Sequence, residues 1–109
     1  METLSDKAKV VYAAFDMMGA RGSENKTTSY AILDFISETE DLQDHDLLKD
    51  VSEQDFVDII MDMNIKSVNT LIASLCRKGM MEKTEPMSIK IDGVRRSLRQ
   101  YFLKWKLKK

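Results

Sequence analysis

The sequence is poor in the residues that build covalent and metal-bound sites. Its 109 residues include one cysteine, Cys76, and one histidine, His45. A lone cysteine excludes an intramolecular disulfide and fits a reducing compartment. Spacings such as Cys-x-x-Cys or His-x-x-x-His are absent, so a zinc site would have to be built mostly from carboxylates. We therefore expect no metal and no other cofactor.

Signals for enzymes, membranes and export are also missing from the sequence. The four glycines are scattered, with no phosphate-binding loop and no Gly-x-Ser-x-Gly elbow. No apolar run approaches the ~20 residues that cross a bilayer. Glu2 and Asp6 precede the first apolar stretch, unlike the basic start of a signal peptide. We therefore expect a cytoplasmic protein that is not an enzyme, with no membrane partner and no small-molecule substrate.

Opposite charges are concentrated in opposite halves of the chain, although the formal net charge is only -1. Residues 1–63 contain five basic and fifteen acidic residues, whereas residues 64–109 contain twelve basic and three acidic residues. Such a division is typical of a protein whose basic part faces a polyanion while its acidic part faces away. The alternative is a bipolar solvated surface without a partner.

Length and periodicity predict a single domain over residues 1–109, mainly α-helical with a small β-hairpin. Apolar residues at helical spacing predict a first helix over 4–18, which Gly19 would end. A second helix is expected to begin near Thr28 or Ser29. These helices would support the rest of the domain.

The acidic stretch over 38–50 alternates carboxylates at a spacing close to that of an EF-hand. It lacks the central glycine and the final glutamate that such a calcium loop requires. We interpret it as a solvated loop or short helical turn, with His45 exposed. Residues 4–51 would then comprise the supporting helices and an acidic loop.

The pattern over 52–79 predicts a helix–turn–helix. Ser52, with an acid three residues later, approximates a capping box for a short apolar helix. Asn64 is a good N-cap for the next helix, predicted over 65–78, and Gly79 is placed for a left-handed C-terminal cap. The second helix has one apolar face and one polar face without acids.

Residues 80–104 predict a basic hairpin, the wing of a winged helix–turn–helix. Asp92 and Gly93 form a two-residue turn signal between two strand patterns. The second strand is expected within 94–105, and a basic tail follows over 105–109. The predicted fold is therefore α+β, mainly α with a small β-hairpin.

The stretch over 59–81, IIMDMNIKSVNTLIASLCRKGMM, resembles the helix–turn–helix of the bacterial MarR-like winged-helix regulators. In that family a polar turn, a central apolar residue and a Leu-x-x-x-Gly exit follow one another. Val68 takes the central apolar position here, and Leu75 with Gly79 forms the exit. The resemblance implies a winged helix–turn–helix fold and DNA binding.

The resemblance extends over residues 52–104 and has two departures. The tip Asp92-Gly93-Val94-Arg95 resembles the family's wing, where an acid and an arginine lie close together. Asp62 stands where the turn often has glycine, and the chain has no room after the wing for the family's long C-terminal dimerisation helix. The family's usual dimer and effector pocket are therefore not implied.

The helix over 65–78 carries side chains that suit the major groove. An asparagine such as Asn69 can pair with adenine, and Thr70 can touch a thymine methyl. Bases in the wing would hold phosphates or reach the minor groove. The alternative for each is a polar, solvated surface position. The predicted DNA-binding residues are Lys66, Ser67, Asn69, Thr70, Ser74, Arg77, Lys83, Lys90, Arg95, Arg96 and Arg99.

The sequence thus favours a sequence-specific regulator of transcription, a repressor, that binds double-stranded DNA as a homodimer. Two alternatives stay open. One is a winged-helix adaptor that binds a protein through the acidic 38–50 face, because a fold alone does not fix a function. The other is a plasmid or phage replication initiator that uses the same helix on repeated sites.

Overall fold

Four α-helices and a small antiparallel sheet form between residues 4 and 104. The computed structural model describes these residues, except for the side chains of Ile89, Ile91 and Arg96. The helices are α1 (Asp6–Met17), α2 (Ser29–Glu38), α3 (Glu53–Asp62) and α4 (Ile65–Arg77). The strands are β1 (Thr27–Thr28), β2 (Met81–Lys83), β3 (Met87–Ile91), β4 (Val94–Leu98) and β5 (Gln100–Leu103), and short 3₁₀ helices lie at Ser23–Asn25, Glu40–Asp44 and Asp46–Leu48. The prediction of a mainly α fold with a small β component is confirmed at this level, and the predicted tail over 105–109 lies outside the described residues.

Each α-helix begins at a side chain that accepts a hydrogen bond from a free backbone N–H of its first turn. Such caps satisfy donors that have no partner inside the helix. The caps predicted at Ser52 and Asn64 are confirmed. The four caps are Ser5 to Ala8 N at 3.2 Å, Thr28 to Ala31 N at 3.1 Å, Ser52 to Asp55 N at 3.1 Å and Asn64 to Ser67 N at 2.9 Å.

Glycines end α1 and α4 as predicted. Gly19 has a φ of 73° and Gly79 a φ of 77°, in the left-handed region that glycine adopts without strain. After α4, Gly79 N–H donates to Cys76 O and Met80 N–H to Leu75 O, at 3.0 and 3.1 Å. This pair of bonds is the Schellman motif. It turns the chain sharply from α4 into β2.

Helix α1 forms the centre of the core. Val10, Val11, Ala14 and Phe15 are fully buried. Together with Ala13, which is also fully buried, these residues span more than half the circumference of the helix at 100° per residue, so one neighbour cannot cover them. Helices α2 and α4 pack against α1, and so do β5 and the 3₁₀ helices within residues 40–48.

The acidic segment is partly a structural cover for α1 and not only a solvated loop. Leu42, Leu48 and Val51 are buried in the core, while the carboxylates between them face solvent. The interpretation of His45 as an exposed residue was wrong, because its side chain is only 14% exposed. The sequence shows leucines alternating with acidic residues here, but it does not show which surface the leucines pack against.

A polar network joins this cover to α1 and to the sheet. His45 Nδ1 accepts the Leu47 N–H at 3.1 Å, so Nε2 carries the proton that is donated to Asp16 Oδ2 at 2.8 Å. Arg21 donates to Asp16 Oδ1 at 3.0 Å and to the Lys104 carbonyl at 2.6 Å. Burial alone would raise the pKa of Asp16, but hydrogen bonds from His45 and Arg21 hold it below its usual value.

Helix α4 packs against α1 and α2, and these three helices surround the core. The preceding helix, α3, contributes mainly Ile59, with Phe56 and Ile60 half-buried at the edge. The helix–turn–helix predicted over 52–79 corresponds to α3, Met63, Asn64 and α4, and α3 has little contact with α4. The two helices are consecutive in the chain, but Met63 and Asn64 have extended backbone and direct them apart.

The sheet has the order β1-β5-β2, and the β3–β4 hairpin extends from it. Lys83 pairs with Tyr101, and the next pair is Met87 with Leu98. Three residues on one side therefore face two on the other, which makes a bulge around Pro86, a residue without a backbone N–H. The single strand predicted over 94–105 is thus divided into β4 and β5 at Arg99.

The predicted hairpin turn is confirmed. Asp92 and Gly93 have φ values of 51° and 80°, as a type I′ turn requires. Asparagine, aspartate and glycine are the residues that tolerate this conformation. None of the helices within residues 4–104 has the length and apolarity needed to span a bilayer.

We predict that Asp16→Asn lowers the free energy of unfolding at pH 7 and that this loss shrinks in acid. Because the pKa of Asp16 is lowered in the folded protein, its stabilisation exists above the unfolded pKa and is lost as the pH falls below about 4. Urea unfolding followed by circular dichroism at several pH values measures the difference. Asp34→Asn, at an exposed position of α2, is the control. A difference that stays constant between pH 7 and pH 3 would contradict the prediction.

Candidate nucleic-acid interface

Helix α4 buries one face and exposes the other. Val68, Ile72 and Leu75 are buried in the core. The predicted residues Lys66, Asn69, Thr70 and Arg77 are exposed, and Ser67 and Ser74 are half-buried at the edge of the exposed face. The helix contains no acidic residue. It therefore presents donors, hydroxyls and positive charges to solvent.

Two hydroxyls of this face donate to neighbouring atoms of α4 and its cap. Ser67 Oγ donates to Asn64 Oδ1 at 3.3 Å, and Thr70 Oγ1 donates to the Lys66 carbonyl at 3.0 Å. The oxygen of each hydroxyl still has a lone pair that can accept a hydrogen bond. Thr70 thus offers its methyl group and an acceptor, while Asn69 offers both the donor and the acceptor of its amide.

A groove of about 450 Å³ runs between α4 and the sheet. Asn69, Ala73 and Arg77 line one side, and Lys83 of β2 with Arg99 lines the other. Positions 69, 73 and 77 are spaced by four residues, so they follow one edge of the helix. The fold therefore brings four predicted site residues, Asn69, Arg77, Lys83 and Arg99, to the same groove.

A second groove continues from the first toward the base of the hairpin. Asn69, Arg99 and Tyr101 line both grooves. The second is bounded also by the first turn of α2 and by the hairpin, through Ser29, Tyr30, Pro86, Ser97 and Leu98. The surface beside α4 is therefore a single trough that reaches the hairpin.

Arg99 lies at the point where the two grooves meet. Its Nε–H is buried and has no hydrogen-bond partner among the described residues. Buried donors of folded proteins nearly always have a partner, either in the protein or in an ordered water molecule. Thr84 fixes the backbone beside Arg99, because its N–H donates to the Gln100 carbonyl and its hydroxyl accepts the Gln100 N–H, at 2.9 and 3.1 Å.

Burial favours the neutral forms of two groups that line the trough, Tyr101 and Cys76. It raises the pKa of the Tyr101 hydroxyl and that of the Cys76 thiol above their usual values. Tyr101 therefore remains a hydroxyl that can donate a hydrogen bond. The positive charge of the trough comes from Arg77, Lys83 and Arg99.

The hairpin carries the remaining predicted residues. Lys90 and Arg95 form a cross-strand pair and are both exposed. Arg96 is paired with Ile89 in the backbone register, and its side chain lies outside the described set. Within residues 4–104, the described ion pairs involve other bases, so none ties Lys66, Arg77, Lys83, Lys90, Arg95 or Arg99 to a carboxylate within 4.0 Å.

The sequence reasoning missed the residues that complete the trough. Tyr30 is 56% exposed in the first turn of α2, and Tyr101 lies on β5. Neither is close in sequence to α4, and the bulge at Pro86 places the hairpin beside them. The one extra residue between Lys83 and Met87, relative to the opposite strand, has no local sequence signal except Pro86 itself.

We predict that Asn64→Ala lowers the free energy of unfolding by about 1 kcal/mol, because the Ser67 N–H would lose its acceptor at the start of α4. Asn64→Ser is the matched control, since serine is also a good cap and should restore most of the loss. Chemical denaturation compares the two variants with the original chain. Equal destabilisation by alanine and serine would contradict the capping role.

The exposed face of α4 and the two grooves form one polar surface, since Asn69 belongs to all three. Lys83 and Arg99 extend its positive charge from the helix to the sheet. Comparison of the chain with protein-family models, with characterised proteins and with solved structures finds no match.

Proposed function

We propose that this protein is a sequence-specific DNA-binding regulator of transcription with a winged helix–turn–helix fold. In this proposal α4 enters the major groove of double-stranded DNA, and the β3–β4 hairpin is the wing that contacts the backbone. The mode of regulation that we favour is repression, by a homodimer in the cytoplasm on a two-fold site.

The order and packing of the elements support the winged-helix part of the proposal. Helices α1, α2 and α4 pack together, and the sheet β1-β5-β2 closes one side of them. The chain passes from α4 through β2 into the hairpin and returns through β5. In this arrangement α2 is the helix that supports α4, and α3 belongs to a long connection between them.

The observation that carries the proposal is the acid-free exposed face of α4. An α-helix matches the width of the major groove, where base edges present donors, acceptors and the thymine methyl. Asn69 and Thr70 lie in the first half of α4, and Lys66 with Arg77 lies near its two ends. This arrangement suits base contacts in the middle of the interface and phosphate contacts at its margins.

The trough beside α4 supports contact with the phosphate backbone. Arg99 has a buried N–H without a partner in the described part of the chain, and a phosphate oxygen would supply the acceptor. Lys83 lines the same groove on the same side as Arg99, across from α4. Because these bases have no carboxylate partner in the described structure, their charge is available to a polyanion.

We expect salt-dependent binding to a generic duplex. Fluorescence anisotropy at about 50 and 200 mM salt should give affinities that differ by orders of magnitude, because condensed counterions are released from DNA. Replacing Arg77 and Lys83 by alanine should lower the steepness of the salt dependence by about one per lost phosphate contact.

The matched control for this experiment removes two bases from the other half of the chain. Lys7→Ala with Lys49→Ala deletes the same charge at exposed positions remote from α4 in sequence. We expect this pair to retain the steep salt dependence. Absence of binding at the lower salt concentration would reject DNA as the partner and leave the acidic 38–50 face as the working surface.

We also expect Asn69 to contribute to sequence preference rather than to general affinity. After selection of a preferred duplex from a random pool, Asn69→Ala should weaken binding to that duplex by about 1–3 kcal/mol and leave binding to a generic duplex unchanged. Lys66→Ala is the comparison, because loss of a phosphate contact weakens both alike. Equal losses on both duplexes for Asn69→Ala would assign it no role in base recognition.

A further inference from the structure

The trough beside α4 contains two tyrosines in addition to its basic residues. Tyr30 is 56% exposed in the first turn of α2 and lines the groove near the hairpin. Tyr101 is half-buried on β5 and lines both grooves. Tyr101 packs against the core, whereas Tyr30 is not part of the core. The aromatic ring of Tyr30 is therefore available to a ligand of the trough.

The charge of the trough has one sign. None of the described residues that line either groove is acidic. Positive charge comes from Arg77, Lys83 and Arg99, and the ion pairs of the described chain do not involve these bases. Arg99 and Tyr101 line both grooves, so positive charge and an aromatic ring occur along the whole trough. The trough therefore suits a ligand that is both anionic and aromatic.

The volume of the trough fits nucleotides. Its two grooves have volumes of about 450 and 360 Å³ and share Asn69 as well as Arg99 and Tyr101. Grooves of this volume each hold one small organic molecule. The trough therefore has room for about two adjacent nucleotides.

Stacking on these tyrosines requires unpaired bases. In a duplex the faces of the bases are covered by their stacked neighbours, and a protein reads their edges from the grooves. A single strand leaves the faces accessible, and proteins that bind it combine a basic groove with aromatic side chains on which bases stack. The tyrosines thus distinguish the trough from the outer face of α4, which presents polar groups suited to base edges.

We propose that the trough binds single-stranded DNA. Tyr30 and Tyr101 stack with unpaired bases, while Arg77, Lys83 and Arg99 hold the phosphates that join those bases. The choice of DNA over RNA rests on the proposed function, since a strand that opens beside a bound duplex would meet the trough next to α4. Affinity for a single strand is nevertheless separable from duplex recognition, because it depends on Tyr30, which lies on α2 and not on α4.

The test is fluorescence anisotropy of a labelled oligothymidylate of about 12 nucleotides at about 50 mM salt, where phosphate contacts are strong. We expect Tyr30→Ala to weaken binding at least about fivefold, because one stacked base loses its partner. Tyr30→Phe keeps the ring and should bind like the original chain. Met17→Ala, at an exposed apolar position on α1 that lines neither groove, is the control and should leave binding unchanged.

A strand without bases separates stacking from charge. An abasic oligonucleotide of the same length has the same number of phosphates, so its attraction to the basic residues is retained. We expect the original chain to bind it at least about fivefold more weakly than the oligothymidylate. This difference should shrink in Tyr30→Ala and persist in Tyr30→Phe.

Duplex binding is measured with the same variants, which separates failure of the single-strand site from failure of the proposed function. Tyr30→Ala should bind a generic duplex as tightly as the original chain, which would also show that the variant is folded. Duplex binding without any binding of the oligothymidylate would reject the single-strand site alone. Binding of the oligothymidylate without duplex binding would support the single-strand site and reject the proposed function.

Three further results would overturn the single-strand site. Equal affinity for the abasic strand and the oligothymidylate would assign the trough to phosphate alone. A Tyr30→Phe variant as weak as Tyr30→Ala would remove stacking as the reason for the loss. An oligouridylate of the same length that binds at least about tenfold more tightly than the oligothymidylate would assign the trough to RNA.

Discussion

The structure depends on the burial of α1 over a wide arc. Val10, Val11 and Phe15 are inaccessible to solvent, and Val10 and Phe15 point in directions that differ by about 140°. Helices α2 and α4 cover one side of α1, and the segment with Leu42 and Leu48 covers another. A chain of this size cannot leave such a helix half covered, since each buried aliphatic side chain contributes about 1.5–3 kcal/mol. The acidic segment over 38–50 therefore packs against α1, although its composition predicts a solvated loop. The hydrogen bond between His45 and Asp16 holds the segment in this position.

This arrangement leaves α4 with one free face that the fold does not need. Its buried side chains are sufficient to hold the helix, and Asn64 and Gly79 satisfy the backbone at its two ends. The side chains of the outer face are thus released from packing, which is the condition for a recognition surface to vary without loss of stability. The local bonds of Ser67 and Thr70 restrict those side chains to a few orientations. A surface of this kind loses less conformational entropy when it binds.

Local features could be predicted from the sequence, and features that join distant segments could not. The caps at Ser52 and Asn64, the helix end at Gly79 and the Asp92-Gly93 turn each depend on a few adjacent residues whose conformational preferences are strong. Of the four proposed site residues in the groove, Lys83 lies on the short strand that directly follows α4, whereas Arg99 is brought there by the pairing of β5 with β2. The pairing of α4 with α2, the bonds of His45 and the bulge at Pro86 join segments far apart in the chain. No pattern within a single segment specifies them.

The division of charge along the chain has consequences for the proposed DNA interface. Screening at physiological salt limits the reach of a charge to about 8–10 Å, so a small acidic total does not prevent a basic face from attracting DNA. The acidic half adds an orientational constraint, because it repels phosphates and favours approach through α4.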